Sequence, residues 1–121
     1  MNNTIEITWE GHISLNEWYS SKHWTYRKKQ KDEWFKTFKS LLDVFPKKTF
    51  DKYSILLEYN SRLDPSNTIT MIKLLEDTMK KECWIVDDSP KYCESLTIRF
   101  SEELSKKTYR ATITNETTSI S

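Results

Sequence analysis

The spacing of apolar residues, which changes period four times over 121 residues, is the strongest constraint on what this chain can fold into. Ile5, Ile7 and Trp9 alternate with Thr4, Glu6 and Thr8, the period of a half-buried strand. Gly11, the single glycine, is expected to end that strand in a turn or bulge. Ser14 to Lys22 reads as an ordered loop or short helical turn. From Thr25 or Tyr26 to Asp43 the spacing becomes helical, with Thr25 a candidate cap and Trp34, Phe35, Phe38, Leu41, Leu42 and Phe45 on one face. Pro46 stops this helix, because the residue before a proline is pushed out of helical geometry.

Alternation returns from Phe50 to Tyr59, where Tyr53, Ile55, Leu57 and Tyr59 share a face and Leu56 adds apolar weight to the other, as in a central strand. Asp64-Pro65 suits the cap and first position of a second helix, with Ile69, Ile72, Leu74, Leu75 and Met79 as its buried face. Two further alternating segments follow. Tyr92, Leu96, Ile98 and Phe100 face away from Cys93, Ser95, Thr97 and Arg99, and Tyr109, Ala111 and Ile113 face away from Thr108, Arg110 and Thr112. With only Ser101 to Lys107 between them, they predict a closing hairpin with one face on the core. The order β-α-β-α-β-β, with a short extra strand at residues 84–86, predicts an α+β fold of two layers. It is a small mixed sheet with two helices packed on one face. Residues 1–121 make one domain, with a polar tail from about residue 115 expected to fray.

Composition narrows the function classes. No apolar run approaches the roughly 18 to 20 residues of a membrane helix, and the opening MNNTIEITWEG lacks a secretory layout. The cytoplasm is the expected location. Cys83 and Cys93 are expected to be reduced and at least partly buried, and two histidines without CxxC or HxxxH spacing argue against structural zinc. Net charge is +1, but its distribution is uneven. Lys22, Arg27, Lys28, Lys29, Lys31, Lys36 and Lys39 stand against Asp32 and Glu33. Two readings of this segment remain open: a solvated basic face on an amphipathic helix, or a nucleic-acid surface. In the second, Trp18, Tyr19, His23, Trp24 and Tyr26 stack or wedge while the bases meet phosphates.

The chemistry concentrates in Ser61 to Lys91. Asp64 precedes the second helix, Lys73 lies on it, and Asp87-Asp88 follows it. Carboxylates from separate segments are what a Mg²⁺ ion working on phosphate needs, and a nearby lysine offsets developing charge. Each residue also has a plainer role: Asp64 as a cap, Lys73 as the i,i+4 partner of Asp77, and Asp87-Asp88 as part of a turn.

Taken together, the basic aromatic segment SLNEWYSSKHWTYRKKQKDEW, the helix-opening Asp64-Pro65-Ser66-Asn67 and the later WIVDDSPKY resemble the RusA family of Holliday junction endodeoxyribonucleases, common in phages and prophages. The resemblance covers roughly Thr4 to Thr114. It implies a homodimer in a bacterial host cell that binds Mg²⁺, or Mn²⁺ in its place, and nicks four-way DNA junctions in recombination and repair. Asp64, Asp88 and Lys73 correspond to catalytic positions, with Asp64, Asp88 and Asp87 as metal ligands. Asn67 and Ser66 would support those ligands, and Lys22, His23, Trp24, Arg27, Lys28, Lys29 and Lys31 would contact DNA. Lys73 matches the family's lysine when counted back from Asp77. Counted forward from Asn67, that position holds Thr70, which implies a helix longer at its start by about one turn. Ser66 stands where the DxDN-type motif has its second aspartate, so the site rests on Asp64 and Asp88, with Asp87 or Glu58 as substitutes. The alternative implied by Ser66 is a catalytically inactive relative that binds DNA or a protein.

Overall fold

Four of the alternating segments pair into one sheet. In the computed structural model, which describes residues 3–12 and 24–116, the order is β1 (Thr4–Glu10), α1 (Trp24–Leu42), β2 (Tyr53–Asn60), a 3₁₀ turn (Pro65–Thr68) leading into α2 (Ile69–Lys81), β3 (Cys93–Phe100) and β4 (Thr108–Asn115). The loop expected over 14–22, including Trp18, Tyr19 and Lys22, lies outside the described residues, as do His23 and residues 117–121 of the expected tail. The sheet runs β1-β4-β2-β3, with β4 antiparallel to both of its neighbours and β3 parallel to β2. The expected two-layer α+β architecture is therefore present, and β2 is central as its two apolar faces suggested. No helix among the described residues is long and apolar enough to cross a membrane.

The closing hairpin does not form. β2 lies between β3 and β4, so two strands adjacent in sequence never pair. Its physical basis is the crossover: α2 returns the chain from the end of β2 to its beginning, which makes the next strand parallel to β2. The chain then reverses and β4 fills the gap between β1 and β2. Alternation specifies which side chains share a face, not which strand lies alongside.

Burial follows that placement. Ile5, Ile7 and Trp9 of β1, Tyr53, Ile55, Leu57 and Tyr59 of β2, and Tyr109, Ala111 and Ile113 of β4 form one core with Phe38 and Leu42 of α1 and Met71, Ile72, Leu75 and Met79 of α2. Strand register sets Trp9, Tyr109, Tyr59 and Phe100 side by side across all four strands. Trp9 stacks on Tyr109 at 5.8 Å, Tyr109 on Tyr59 at 5.9 Å, and Phe100 meets Tyr59 edge-on at 5.8 Å. β3 is only partly covered: Leu96 is 40% and Phe100 47% exposed, so its inner face does not close onto the core as expected.

Several local expectations also change. α1 begins at Trp24, so Thr25 lies inside the helix and does not cap it. Asp64 occupies a cap position but makes no side-chain cap bond; its carbonyl instead accepts from the Asn67 N–H at 2.9 Å. Ile69, at the first position of α2, is 40% exposed, while Thr70 and Met71 are buried. Phe50 and the segment at residues 84–86 contribute a single bridge, Phe50 to Ile85, rather than strand. Both cysteines are free, but Cys83 is exposed, contrary to its expected burial. It adopts φ 63° just after α2, where glycine is usual, and lets the Trp84 N–H close on the Met79 carbonyl at 2.8 Å. The Asn115 N–H donates to the Asn3 carbonyl at 2.6 Å and the Glu116 N–H to the Lys52 carbonyl at 2.7 Å.

Candidate functional site

The position of Asp87-Asp88 is set by its neighbours in sequence. Trp84 and Ile85 are buried in the core, and the Phe50 N–H donates to the Trp84 carbonyl at 2.7 Å. The chain must then leave the core, and it does so through the two aspartates. The turn that follows is closed by the N–H groups of Tyr92 and Cys93 on the Ser89 carbonyl, each at 2.9 Å.

Asp88 lands against α2. Lys73 Nζ donates to Asp88 Oδ2 at 3.1 Å, and Lys80 Nζ lies 3.5 Å from both Asp87 Oδ1 and Asp88 Oδ1. Lys73 thus pairs with Asp88, not with Asp77 as the i,i+4 spacing allowed. The Asp88 side chain is only 20% exposed, and the Lys73 hydrogen bond holds its carboxyl below the usual range despite the opposing effect of burial. The same contact raises Lys73. Two residues fifteen positions apart, both singled out in sequence, are brought into contact.

Asp64 is not brought to them. It follows the Ser61–Leu63 turn at the far end of β2, where the Tyr59 hydroxyl donates to the Leu63 carbonyl at 3.0 Å. Burial, then the Asp64 charge, push Tyr59 up. Asp88 belongs to the other end of β2, where the Tyr53 N–H meets the Tyr92 carbonyl at 2.9 Å. Asp88, held between Lys73 and Lys80, lies along the middle of α2, whereas Asp64 precedes the 3₁₀ turn that leads into that helix. Ser66 is exposed and Asn67 half-buried, both in the 3₁₀ turn after Asp64. No hydrogen bond or ion pair joins Asp64 to Lys73 or Asp88 among the described residues. Among the described residues no group of three His, Cys, Asp or Glu side chains is arranged to hold a metal ion.

Glu58 is no substitute ligand. It points from the opposite face of β2, where register sets it between Arg99 of β3 and Arg110 of β4. Arg110 donates to Glu58 Oε1 from Nε at 3.1 Å and Nη2 at 2.9 Å, and Arg99 Nη2 donates to Oε2 at 3.1 Å. Burial alone would raise this carboxyl, but the two arginines together hold it low.

A different carboxylate was missed. Glu76, 2% exposed, lies one helical turn from Lys73 on the inner side of α2 and accepts a short hydrogen bond from the Tyr53 hydroxyl. Burial pushes its carboxyl up, only partly opposed by the Tyr53 bond, and the Asp88 charge adds to the rise. Its signal was present in sequence. Ile72, Glu76 and Met79 follow the 4-3 spacing of the buried face, so a glutamate occupies an apolar position.

The basic face of α1 reaches the same region. Trp24, Lys28, Lys29 and Lys31 are exposed, Arg27 is half-buried, and none of these cations forms an ion pair among the described residues. Lys28 and Lys31 line a groove of about 530 Å³ between the helices together with Lys80 and Lys81. Phe35 forms part of its wall beneath Lys81, whose ammonium lies 4.6 Å from the ring centroid. This positive groove therefore runs from α1 to the lysine that touches Asp87 and Asp88. No protein-family model and no curated protein matches the chain.

Proposed function

We propose that this protein binds branched DNA and cuts it as a pair of identical subunits, a Mg²⁺-dependent endonuclease resembling the RusA resolvases. The observation that supports this reading is the Lys73–Asp88 contact at 3.1 Å, because these are the lysine and aspartate that the resemblance pairs. The basic groove leading to Lys80 supplies phosphate contacts beside it.

In a two-copy site, Asp64 and Asp88 of different subunits would meet. β3 is an edge strand, its outer backbone unpaired among the described residues and Leu96 exposed, and such an edge readily accepts another strand. If two copies pair antiparallel through β3, the beginning of one β3 lies beside the end of the other. The 3₁₀ turn after Asp64 packs near the end of β3, so Asp88 of one copy approaches the other copy's Asp64 on the helical side of a continuous sheet. Two equivalent sites related by a two-fold axis suit a junction in which two strands must be nicked.

Ser66 and the ion pairs on Asp88 favour a second reading, a relative that binds junctions without cutting them. A labelled four-way junction, with Mg²⁺ or Mn²⁺ titrated, separates the two. Cutting by wild type that disappears in both Asp64→Asn and Asp88→Asn supports the nuclease. Mixing those two inactive variants should restore about a quarter of the wild-type activity, since half of randomly mixed pairs each carry one intact shared site. No recovery on mixing would rule out the shared site, and junction binding without any cutting would establish the second reading.

A further inference from the structure

Beyond the aromatic row, at the Asp64 end of the sheet, lies a cavity of about 650 Å³ lined by none of the residues that sequence assigned to a site. Three cations stand on its wall: Arg62 from the turn after β2, and Lys106 and Lys107 from the turn before β4. All three are exposed, and none has an ion-pair partner among the described residues. Phe100 supplies an aromatic surface, with its ring steadied edge-on by Tyr59.

The wall is braced from several directions. Tyr109 donates its hydroxyl to Ser61 Oγ at 3.2 Å, which pins the turn carrying Arg62. The Lys107 N–H donates to the Asn60 carbonyl at 2.6 Å, and the Gly11 N–H donates to the Lys107 carbonyl at 2.9 Å. Lys107 is held at φ 66°, a left-handed conformation that disfavours a residue with a side chain. Exposed cations without ion-pair partners among the described residues, carried on a braced backbone around an exposed ring, match the chemistry of a nucleic-acid strand, which presents a phosphate and a flat base at each step. A simple anion would leave the ring unused.

We infer that this cavity is a second nucleic-acid contact, with one backbone phosphate between Arg62 and the Lys106–Lys107 pair and an unstacked base on Phe100. The inference rests on the DNA-binding part of the function proposed above and is independent of cleavage. Arg62 is two residues from Asp64, so a strand held here passes beside that aspartate.

The test is fluorescence anisotropy with a labelled four-way junction and a labelled oligothymidine, without divalent cation, across a salt series. Wild type is compared with Arg62→Ala/Lys106→Ala and with Phe100→Leu, after thermal melts show that both variants fold. The charge variant should bind both probes about fivefold more weakly near 150 mM salt, with the log–log salt slope reduced by about 0.7 to 0.9. Phe100→Leu should weaken oligothymidine binding about fivefold or more with the salt slope unchanged. Wild-type affinity and slope in both variants would overturn the cavity as a contact while leaving DNA binding by the rest of the molecule intact. Failure of wild type to bind either probe would overturn the DNA reading and this contact with it.

Discussion

β3 and β4 are each eight residues long, flank the same strand and alternate in the same way, yet they have opposite fates. In β4, Tyr109, Ala111 and Ile113 are fully buried. In β3, Leu96 and Phe100 occupy equivalent positions on the same face of the sheet and remain substantially exposed. β4 has a strand on either side and the helices above it, whereas β3 has β2 on one side and its other edge open. An alternating pattern shows that a face is suited to burial. What covers that face is decided elsewhere in the chain.

The sharpest way to break this comparison is to truncate matched side chains. Ile113→Ala should cost about 3 kcal/mol, through lost burial and the cavity left behind. Leu96→Ala should cost about 1 kcal/mol or less in the monomer, since much of that side chain already meets water. Urea unfolding at low protein concentration measures both. Similar losses at the two positions would mean that something covers β3 in solution, and a concentration-dependent loss at Leu96 would identify a second copy.

A smaller effect concerns the link between the two strands on the other face of the sheet. Glu58→Ala should cost about 2 kcal/mol, because it removes charge-assisted bonds to both strands and leaves two arginines facing each other. Arg110→Ala should cost more than Arg99→Ala, since Arg110 makes two bonds and its side chain is 26% exposed, against 60% for Arg99. The pH dependence has a definite sign. The Glu58 and Asp88 carboxyls lie below their ordinary values of 4.5 and 3.8, so their stabilisation is complete above those values and is lost as pH falls through the lowered ones. Acid unfolding should therefore begin at higher pH in wild type than in a Glu58→Gln variant, once each is referred to its own stability at neutral pH.

The smallest expected effect has the opposite sign. Burial raises Glu76 above its ordinary 4.5, so its neutral form suits the fold. Its contribution is complete below that value and declines as pH rises toward the raised one. Glu76→Gln keeps an acceptor for Tyr53 but cannot ionise. Its melting temperature should gain on wild type as pH increases from about 4.5 to 8. A constant difference across that range would mean Glu76 does not titrate there.

Much of the fold was legible because periodicity is local. Ile5-Ile7-Trp9 and Tyr53-Ile55-Leu57-Tyr59 read as strands without knowledge of their partners, and Phe38 and Leu42 read as the inner side of a helix. Ile69 stays exposed although Ile72, Leu74, Leu75 and Met79 are buried, because it stands at the very start of α2, and apolar spacing does not show where a helix leaves the core. At the candidate site, Lys73 and Asp88 were both marked by residue type and position. Glu76 escaped notice because its chemistry lies in the burial of a single acid, which composition averages away.

The chain by itself determined the main segments, their order and the face each one has suited to burial, since these follow from side-chain spacing over a few residues. Only the tertiary structure decided that β2 would separate β3 from β4, that Asp88 would meet Lys73 and Lys80, and that Arg62, Lys106, Lys107 and Phe100 would gather around one cavity. Those outcomes depend on strand pairing between distant segments, where several partners satisfy the same alternation and the burial of the whole core selects among them.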